Sequence, residues 1–206
     1  MKQERLFIPG PAGRLQALHE PGEPGRPAVV ICHPHPLFGG TMRNKVVYWM
    51  ARAFGDAGCS TLRFNFRGVE QSEGAWDEGR GEVQDAAAAL SWMAERHAGV
   101  PLWLAGFSFG CYAGLKAARE DARVSRMFAV APAVNHWDFS FMCGETRPLV
   151  VIAGTRDEIV PFQAVRAAVR LMGEHVRFHA IEGAGHFFPE HQAELMAALR
   201  QNMNEI

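Results

Sequence analysis

The stretch Leu102-Trp103-Leu104-Ala105-Gly106-Phe107-Ser108-Phe109-Gly110 decides the fold of this chain. It begins with a short apolar run that is typical of a buried strand, and an alanine-rich helical pattern follows Gly110. Between them, the Gly-x-Ser-x-Gly spacing predicts a sharp strand-to-helix turn with a serine at its tip. Glycine is needed on either side because a Cβ atom there would collide where the strand and the helix approach each other. The alternative is an ordinary turn in which Ser108 only caps the helix.

The pattern around this turn predicts a parallel sheet. From Ala28 onward, short β-branched or aromatic runs alternate with longer helical patterns, as in βαβ units. The predicted strands span residues 28–32, 60–65, 102–105, 127–131, 149–153 and 176–181. Most are almost wholly apolar, which is expected when helices cover both faces of a sheet. Residues 1–20 are expected to add antiparallel strands at one edge, so the fold class is a mostly parallel three-layer α/β sandwich in one domain, 1–206.

The helical patterns have recognisable ends. Asn44 is a plausible N-cap for the first helix, and Gly58 lies just past its end. A second helix should begin near Glu82, and further helices are predicted at 109–119, 161–172 and 190–202.

Composition excludes several classes of protein. The 206 residues are 48% hydrophobic, and 21 basic against 22 acidic side chains give a net charge of −1. The sequence has no basic patch that would indicate nucleic acid as a partner. It also has no run that approaches the ~18 apolar residues of a membrane span. Because the start of the chain also lacks a signal-peptide pattern, we expect a soluble, cytoplasmic protein that acts on a small molecule. Its four cysteines form no CxxC pair and are expected to be reduced thiols, mostly in the core.

Two further residues give Ser108 a chemical interpretation. A serine hydroxyl is a poor nucleophile at neutral pH and needs a base that a third group orients. Asp157 follows the predicted strand 149–153, and His186 follows the next strand in Gly183-Ala184-Gly185-His186. Because the carboxyl ends of parallel strands meet at one edge of a sheet, Ser108, Asp157 and His186 are expected to converge as a catalytic triad.

Other assignments compete with this triad. Glu158 or Asp138 could replace Asp157 as the acid, and His186 could be an ordinary surface-loop histidine. His179 lies within a predicted strand and His191 on a predicted helix, which suits neither to the flexible loop position of a base.

From Ala28 to its C-terminus the chain resembles the α/β-hydrolase superfamily, and in particular its small members without a lid, which include carboxylesterase-like and dienelactone-hydrolase-like enzymes. The resemblance rests on the Ser, Asp, His order and on the runs HPHPLFGGTMRNKVV at 33–47 and FNFRGVEQSEG at 64–74. It implies an α/β-hydrolase fold, with the run at 33–47 forming the oxyanion loop. Glu70 departs from the glycine that such proteins usually carry, which leaves the turn after Arg67 uncertain.

Acyl transfer to a serine needs two backbone N–H groups that point at the developing oxyanion. Phe109 is expected to give one, and the other must come from the loop after strand 28–32, where Pro34 and Pro36 have no N–H. His35 is the first candidate and Leu37 the second.

The segment His33-Pro34-His35 also admits a metal interpretation, because His-x-His can chelate zinc. However, the two imidazoles alternate sides if the chain is extended, so a loop-shaping hydrogen-bond role is favoured. Neither a metal nor a cofactor is predicted.

Residues 132–148 between two predicted strands are too few for a lid domain, so the site should be open. Phe38, Phe107, Trp137 and Phe187 are predicted to bind the substrate, although aromatic residues of this kind can also be core. The sequence therefore predicts a serine hydrolase of carboxylic esters or thioesters, with short acyl groups, that works through an acyl-Ser108 intermediate. An acyltransferase or a peptidase with the same triad, or a non-catalytic binding protein of the same fold, remains the alternative.

Overall fold

One eight-stranded sheet organises the molecule, in a computed structural model that describes residues 3–203. Its strands are β1 (Glu4–Gly10), β2 (Gly13–Glu20), β3 (Ala28–Cys32), β4 (Ser60–Phe64), β5 (Leu102–Phe107), β6 (Val124–Val130), β7 (Leu149–Gly154) and β8 (Val176–Ile181). They lie in the order β1-β2-β4-β3-β5-β6-β7-β8. The strands from β3 to β8 pair parallel, whereas β1 and β2 pair antiparallel at one edge. The predicted mostly parallel sheet is confirmed.

Helices cover both faces of this sheet. They are α1 (Lys45–Asp56), α2 (Arg80–Arg96), α3 (Phe109–Arg119), α4 (Phe162–Met172) and α5 (Gln192–Gln201). Buried residues of α1 and α5 pack on one face, and buried residues of α2, α3 and α4 pack on the other. Because both faces are covered, every residue of β3, β4, β5 and β7 is buried. The predicted three-layer α/β sandwich is confirmed.

Helix ends follow local chemistry that the sequence displays. The Asn44 side chain accepts a hydrogen bond from Val46 N–H at 2.9 Å, which confirms it as the N-cap of α1. Helix α2 begins at Arg80, slightly before the predicted start near Glu82. Glu82 lies in the first turn of the helix, where its side chain caps the N-terminus. Its buried carboxylate accepts the N–H of Gly79 at 2.8 Å and of Asp77 at 3.0 Å.

The connection between β6 and β7 is short. It contains only a single-turn 3-10 helix, Ser140–Met142, and the part of the chain between residues 3 and 203 has no separate lid domain. The carboxyl edge of the sheet is therefore left open above β5. None of the helices in this described part is long and apolar enough to cross a membrane.

All four cysteines are free thiols, as the sequence predicted. Cys32, Cys59 and Cys111 are buried, and Cys143 is exposed. Burial raises the pKa of the Cys59 thiol to about 11, so that this side chain stays uncharged in the core.

The turn after Arg67 keeps the shape that glycine would give it. Glu70 has a φ of +48°, in the left-handed region where a side chain costs about 1–3 kcal/mol. The neighbouring Asn65, which is fully buried, donates from Nδ2 to Glu70 Oε2 at 3.0 Å and accepts Met42 N–H at 2.8 Å. The departure from glycine thus leaves the turn intact and ties it to the loop that precedes α1.

Candidate active site

Ser108 lies at the tip of a strained turn between β5 and α3. Its φ of +55° and ψ of −117° are unusual for a residue with a side chain, and its N–H donates to Val130 O at 2.9 Å. A Cβ atom on Gly106 would lie 2.5 Å from Gly110 O, and one on Gly110 would lie 2.4 Å from Cys32 O. Both glycines are therefore required by close approach, as predicted. The Ser108 side chain makes no capping hydrogen bond to α3, so the alternative of a merely capping serine is wrong.

The three residues singled out from the sequence converge. His186 Nε2 lies 3.1 Å from Ser108 Oγ, and His186 Nδ1 lies 2.8 Å from Asp157 Oδ2. The other Asp157 oxygen accepts the N–H groups of Ile159 at 2.8 Å and Val160 at 2.7 Å. The side chains of His186 and Asp157 are only 2% and 1% exposed. Contacts within the protein therefore hold the ring and the carboxylate in place. An Nδ1–H donated to Asp157 leaves Nε2 free to accept the Ser108 proton.

The rival acids and histidines have other partners. Glu158 Oε2 accepts the backbone N–H of His186 at 3.0 Å, so it fixes the loop that carries the ring. Asp138 accepts both Ser140 N–H at 2.8 Å and Ser140 Oγ–H at 2.7 Å. His179 pairs with the Asn202 side chain and His191 with Pro189 O, and each of these contacts is 2.8 Å long.

Two residues that line the same cleft as Ser108 have backbone N–H groups available for an acceptor. Within residues 3–203, neither Phe109 N–H nor His35 N–H has a hydrogen-bond acceptor, and both residues line the cleft. Phe109 is the first residue of α3, where the partial positive charge of the helix end favours an anion. Leu37 as a donor is wrong, because its N–H already donates to His35 Nδ1 at 3.2 Å.

Comparisons with known proteins show the family to which the chain belongs. The α/β hydrolase fold family matches residues 27–142. The chain belongs to this family. A solved α/β serine hydrolase homologue from Coxiella burnetii is 40% identical, with a TM-score of 0.93 over 98% of each chain.

Two other relatives extend the comparison. A solved α/β serine hydrolase without a lid, from Xanthomonas campestris, is 34% identical, with a TM-score of 0.89 over 98% of this chain and 93% of that one. An uncharacterised protein of Rickettsia prowazekii (strain Madrid E) is 34% identical over 205 residues, which cover 95% of this chain and 86% of that protein. The predicted membership among small lidless α/β hydrolases is confirmed.

His33 shapes the loop of this α/β hydrolase that carries His35. The side chain is fully buried, its Nδ1 donates to Pro34 O at 2.7 Å, and its Nε2 accepts Phe66 N–H at 3.0 Å. Both ring nitrogens are thus bonded to backbone, which leaves neither as a ligand for a metal ion. Burial lowers the pKa of His33 from 6.5 to about 3 and keeps the ring neutral.

The neutral, buried His33 ring predicts that the folded protein loses stability at acidic pH. Between pH 6.5 and about 3 the unfolded chain binds a proton at His33 that the folded chain does not bind. The free energy of unfolding should therefore fall as pH is lowered through this window, by up to about 1.4 kcal/mol per pH unit from this group. Urea unfolding at pH 7, 6, 5 and 4 measures the slope.

The matched variant is His33→Asn, which cannot titrate. It should be less stable at pH 7 but show a shallower loss of stability below pH 6. The slope does not vanish, because burial also lowers the pKa of His19 and His97. An unchanged slope in the variant would show that His33 is not a source of the acid sensitivity.

The cleft above Ser108 has a volume of about 260 Å³ and is open to solvent. It is lined by His35, Phe38, Ser108, Phe109, Ala133, His136, Trp137 and Ile159. Phe38 and Trp137 therefore lie where the sequence placed them. The lining is largely apolar, and its polar side chains are those of His35, Ser108 and His136. Burial, and then the neighbouring His136, lower the pKa of His35, which favours the neutral ring that accepts Leu37 N–H.

Two predicted substrate-binding residues are not in the cleft lining. Phe107 is fully buried, because strand alternation turns it toward the α1 and α5 layer, where its ring lies 5.1 Å from that of His186. Phe187 is 46% exposed and meets His186 edge-on at 5.1 Å. Both rings pack against the imidazole. Full burial makes Phe107 wrong as a substrate-binding residue, whereas for the exposed Phe187 this role stays a prediction.

The sequence interpretation missed Ala133, His136 and Ile159. The first two follow β6 and the third follows Asp157, so all three lie in loops at the carboxyl edge of the sheet. Asn135 Nδ2 donates to Ile159 O at 3.1 Å and holds these two loops together. The available signal was their position just past β6 and β7, the two strands that follow β5 in the sheet.

Proposed function

We propose that this α/β hydrolase cleaves carboxylic esters or thioesters of small molecules, with short acyl groups, through an acyl-Ser108 intermediate. The observation that supports this most is the continuous chain of contacts from Ser108 Oγ through the His186 ring to Asp157, at 3.1 and 2.8 Å. A buried, oriented imidazole next to a serine hydroxyl on a strained turn is the arrangement that activates a serine nucleophile.

The proposed reaction has two halves. His186 Nε2 removes the Ser108 proton as Oγ attacks the carbonyl carbon, and Asp157 stabilises the resulting imidazolium. Phe109 N–H and His35 N–H bind the oxyanion of the tetrahedral intermediate. When the intermediate collapses, the alcohol or thiol leaves with the proton from Nε2. A water molecule, deprotonated in the same way, then attacks the acyl carbon and releases the acid, so no cofactor is needed.

The size of the cleft supports a short acyl group. A volume of about 260 Å³ lies just below the range of roughly 300–1,000 Å³ found for pockets that hold drug-sized ligands. Its apolar walls favour the acyl carbons, and the open side gives water access for deacylation.

A substrate panel tests the proposal. p-Nitrophenyl esters from acetate to palmitate, run beside acyl-CoA thioesters, should show the highest kcat/KM for the shortest chains. A higher kcat/KM for the long-chain esters than for the short ones would overturn the short-acyl assignment. A folded protein that hydrolyses no member of the panel would favour a non-catalytic binding protein.

The oxyanion role of His35 can be tested with one backbone change. Its φ of −54° and ψ of 122° lie in the range that proline adopts, so His35→Pro removes the N–H at a compatible backbone conformation of this residue. Loss of one oxyanion donor should lower kcat by about 10²–10³-fold.

His35→Ala is the matched control, since it loses the same side chain but keeps the N–H. It should retain most of the kcat that His35→Pro loses. Equal kcat values for the two variants would mean that the His35 N–H does not bind the oxyanion.

A further inference from the structure

Trp137 lines two cavities at once. One is the cleft above Ser108, and the other is an apolar groove of about 410 Å³ between the β6–β7 connection and α4. The residues that line this groove beside Trp137 include Val134, Phe139, Ala164, Ala167, Leu171 and Met172. Among residues 3–203, Trp137 is the one residue common to the linings of both cavities.

The chain around Trp137 turns tightly. The N–H groups of His136 and Trp137 both donate to Ala133 O at 3.1 Å. Ala133 and His136 therefore line the cleft while Val134 lines the groove. The two cavities thus border neighbouring residues of one short segment, and Trp137 borders both.

Packing fixes the Trp137 ring in this position. It lies 4.5 Å from the Tyr112 ring at an angle of 32° and 5.0 Å from the Phe109 ring. Gly79, with a φ of +84°, also packs against the Trp137 ring, and a Cβ atom on Gly79 would lie 2.8 Å from the indole. A ring held on several sides does not swing aside easily, so it acts as a wall.

We propose that Trp137 determines the acyl-chain length that the enzyme accepts, by closing the Ser108 cleft against the apolar groove. The inference rests on the proposed function. With the indole in place, an acyl chain on Ser108 must turn into solvent once it has filled the cleft, and further methylene groups gain no apolar contact. Without the indole, the cleft and the groove join, and the groove can accept the end of a longer chain.

Trp137→Ala and Trp137→Leu test this wall, the second in case the first does not fold. kcat/KM is measured with p-nitrophenyl acetate and p-nitrophenyl octanoate, per active site titrated with a fluorophosphonate probe. The ratio of kcat/KM for octanoate to kcat/KM for acetate should rise by about 10-fold or more in Trp137→Ala. A single methylene group in an apolar pocket can already change kcat/KM by about that factor. Trp137→Leu should raise the ratio less, because leucine refills part of the opening.

Two controls separate a joined groove from a merely enlarged cleft. Phe38→Ala removes another aromatic ring from the cleft but does not face the groove, so it should change both rates without raising the ratio. Ala167→Phe fills the groove from the exposed side of α4. Added to Trp137→Ala, it should return the ratio toward that of the native chain.

The outcomes distinguish this inference from the proposed function. An unchanged ratio in titratable Trp137 variants overturns the wall and leaves the serine hydrolase intact. A raised ratio that Ala167→Phe does not reverse also overturns it, because the extra chain then lies elsewhere. A native chain that neither takes up the probe nor hydrolyses either ester overturns the proposed function, and this inference with it.

Discussion

Replacing Ser108 with alanine should lower kcat by on the order of 10⁶-fold, which is the loss expected when the nucleophile of such a triad is removed. The change deletes one oxygen atom, the one that lies 3.1 Å from His186 Nε2. No other hydroxyl is hydrogen-bonded to that ring within residues 3–203, so no neighbour can take over the attack. Initial rates with p-nitrophenyl acetate measure the loss.

Ser140→Ala is the matched serine-to-alanine control. Ser140 is exposed in the β6–β7 connection, and within residues 3–203 its hydroxyl is hydrogen-bonded to Asp138 alone, so its loss should leave kcat close to that of the native chain. Thermal unfolding of both variants shows whether they are folded. Substantial residual activity in folded Ser108→Ala would show that Ser108 is not the nucleophile.

Replacing Asp157 with asparagine should lower kcat by on the order of 10⁴-fold. One Asp157 oxygen accepts the N–H groups of Ile159 and Val160, so the carbonyl oxygen of an asparagine must stay there. Its NH₂ group then faces His186 Nδ1 and donates to it, which places the ring proton on Nε2. In that tautomer the ring cannot accept the Ser108 proton, although the geometry is almost unchanged.

The matched comparison is Glu158→Gln, the same amide change at the adjacent residue. Its Oε atom can still accept the His186 backbone N–H, and a neutral acceptor replaces a charged one. We expect kcat within about 10-fold of the native value, since such hydrogen bonds differ by about 1 kcal/mol. If Glu158→Gln were the more damaging change, Glu158 and not Asp157 would be the acid.

Much of the site could be predicted because its parts obey local rules. Gly106 and Gly110 are required wherever a strand and a helix approach so closely, whatever surrounds them. Asp157 and His186 come just after apolar strands, and parallel strands bring their carboxyl ends to one edge. The cap at Asn44 likewise depends on residues next to it in the chain.

The errors arose where contacts depend on the path of a loop or on the direction of a side chain. Phe107 adjoins Ser108 in the chain, yet the alternation of β5 buries it beneath His186. Leu37 is the second candidate for the oxyanion donor by sequence, but the His35 ring turns back and accepts its N–H. His136 and Ile159 reach the cleft through the contact of Asn135 with Ile159 O, which joins two loops and has no signature in either.

Glu70 shows how a substitution at a glycine position can be tolerated. The sequence indicates only that glycine is missing from a turn that favours it. In the structure the left-handed backbone remains, and a hydrogen bond from buried Asn65 offsets part of its cost. Asn65 lies in the same run, five residues before Glu70, but the local pattern does not indicate that its side chain turns toward Glu70.

The most direct test of the account is covalent labelling of the folded native chain with a fluorophosphonate, followed by intact mass measurement and peptide mapping. The triad geometry predicts a single adduct, located on Ser108, which disappears in Ser108→Ala and forms far more slowly in Asp157→Asn. A folded native chain that remains unlabelled, or an adduct at another residue, would contradict the claim that His186 and Asp157 make Ser108 a nucleophile.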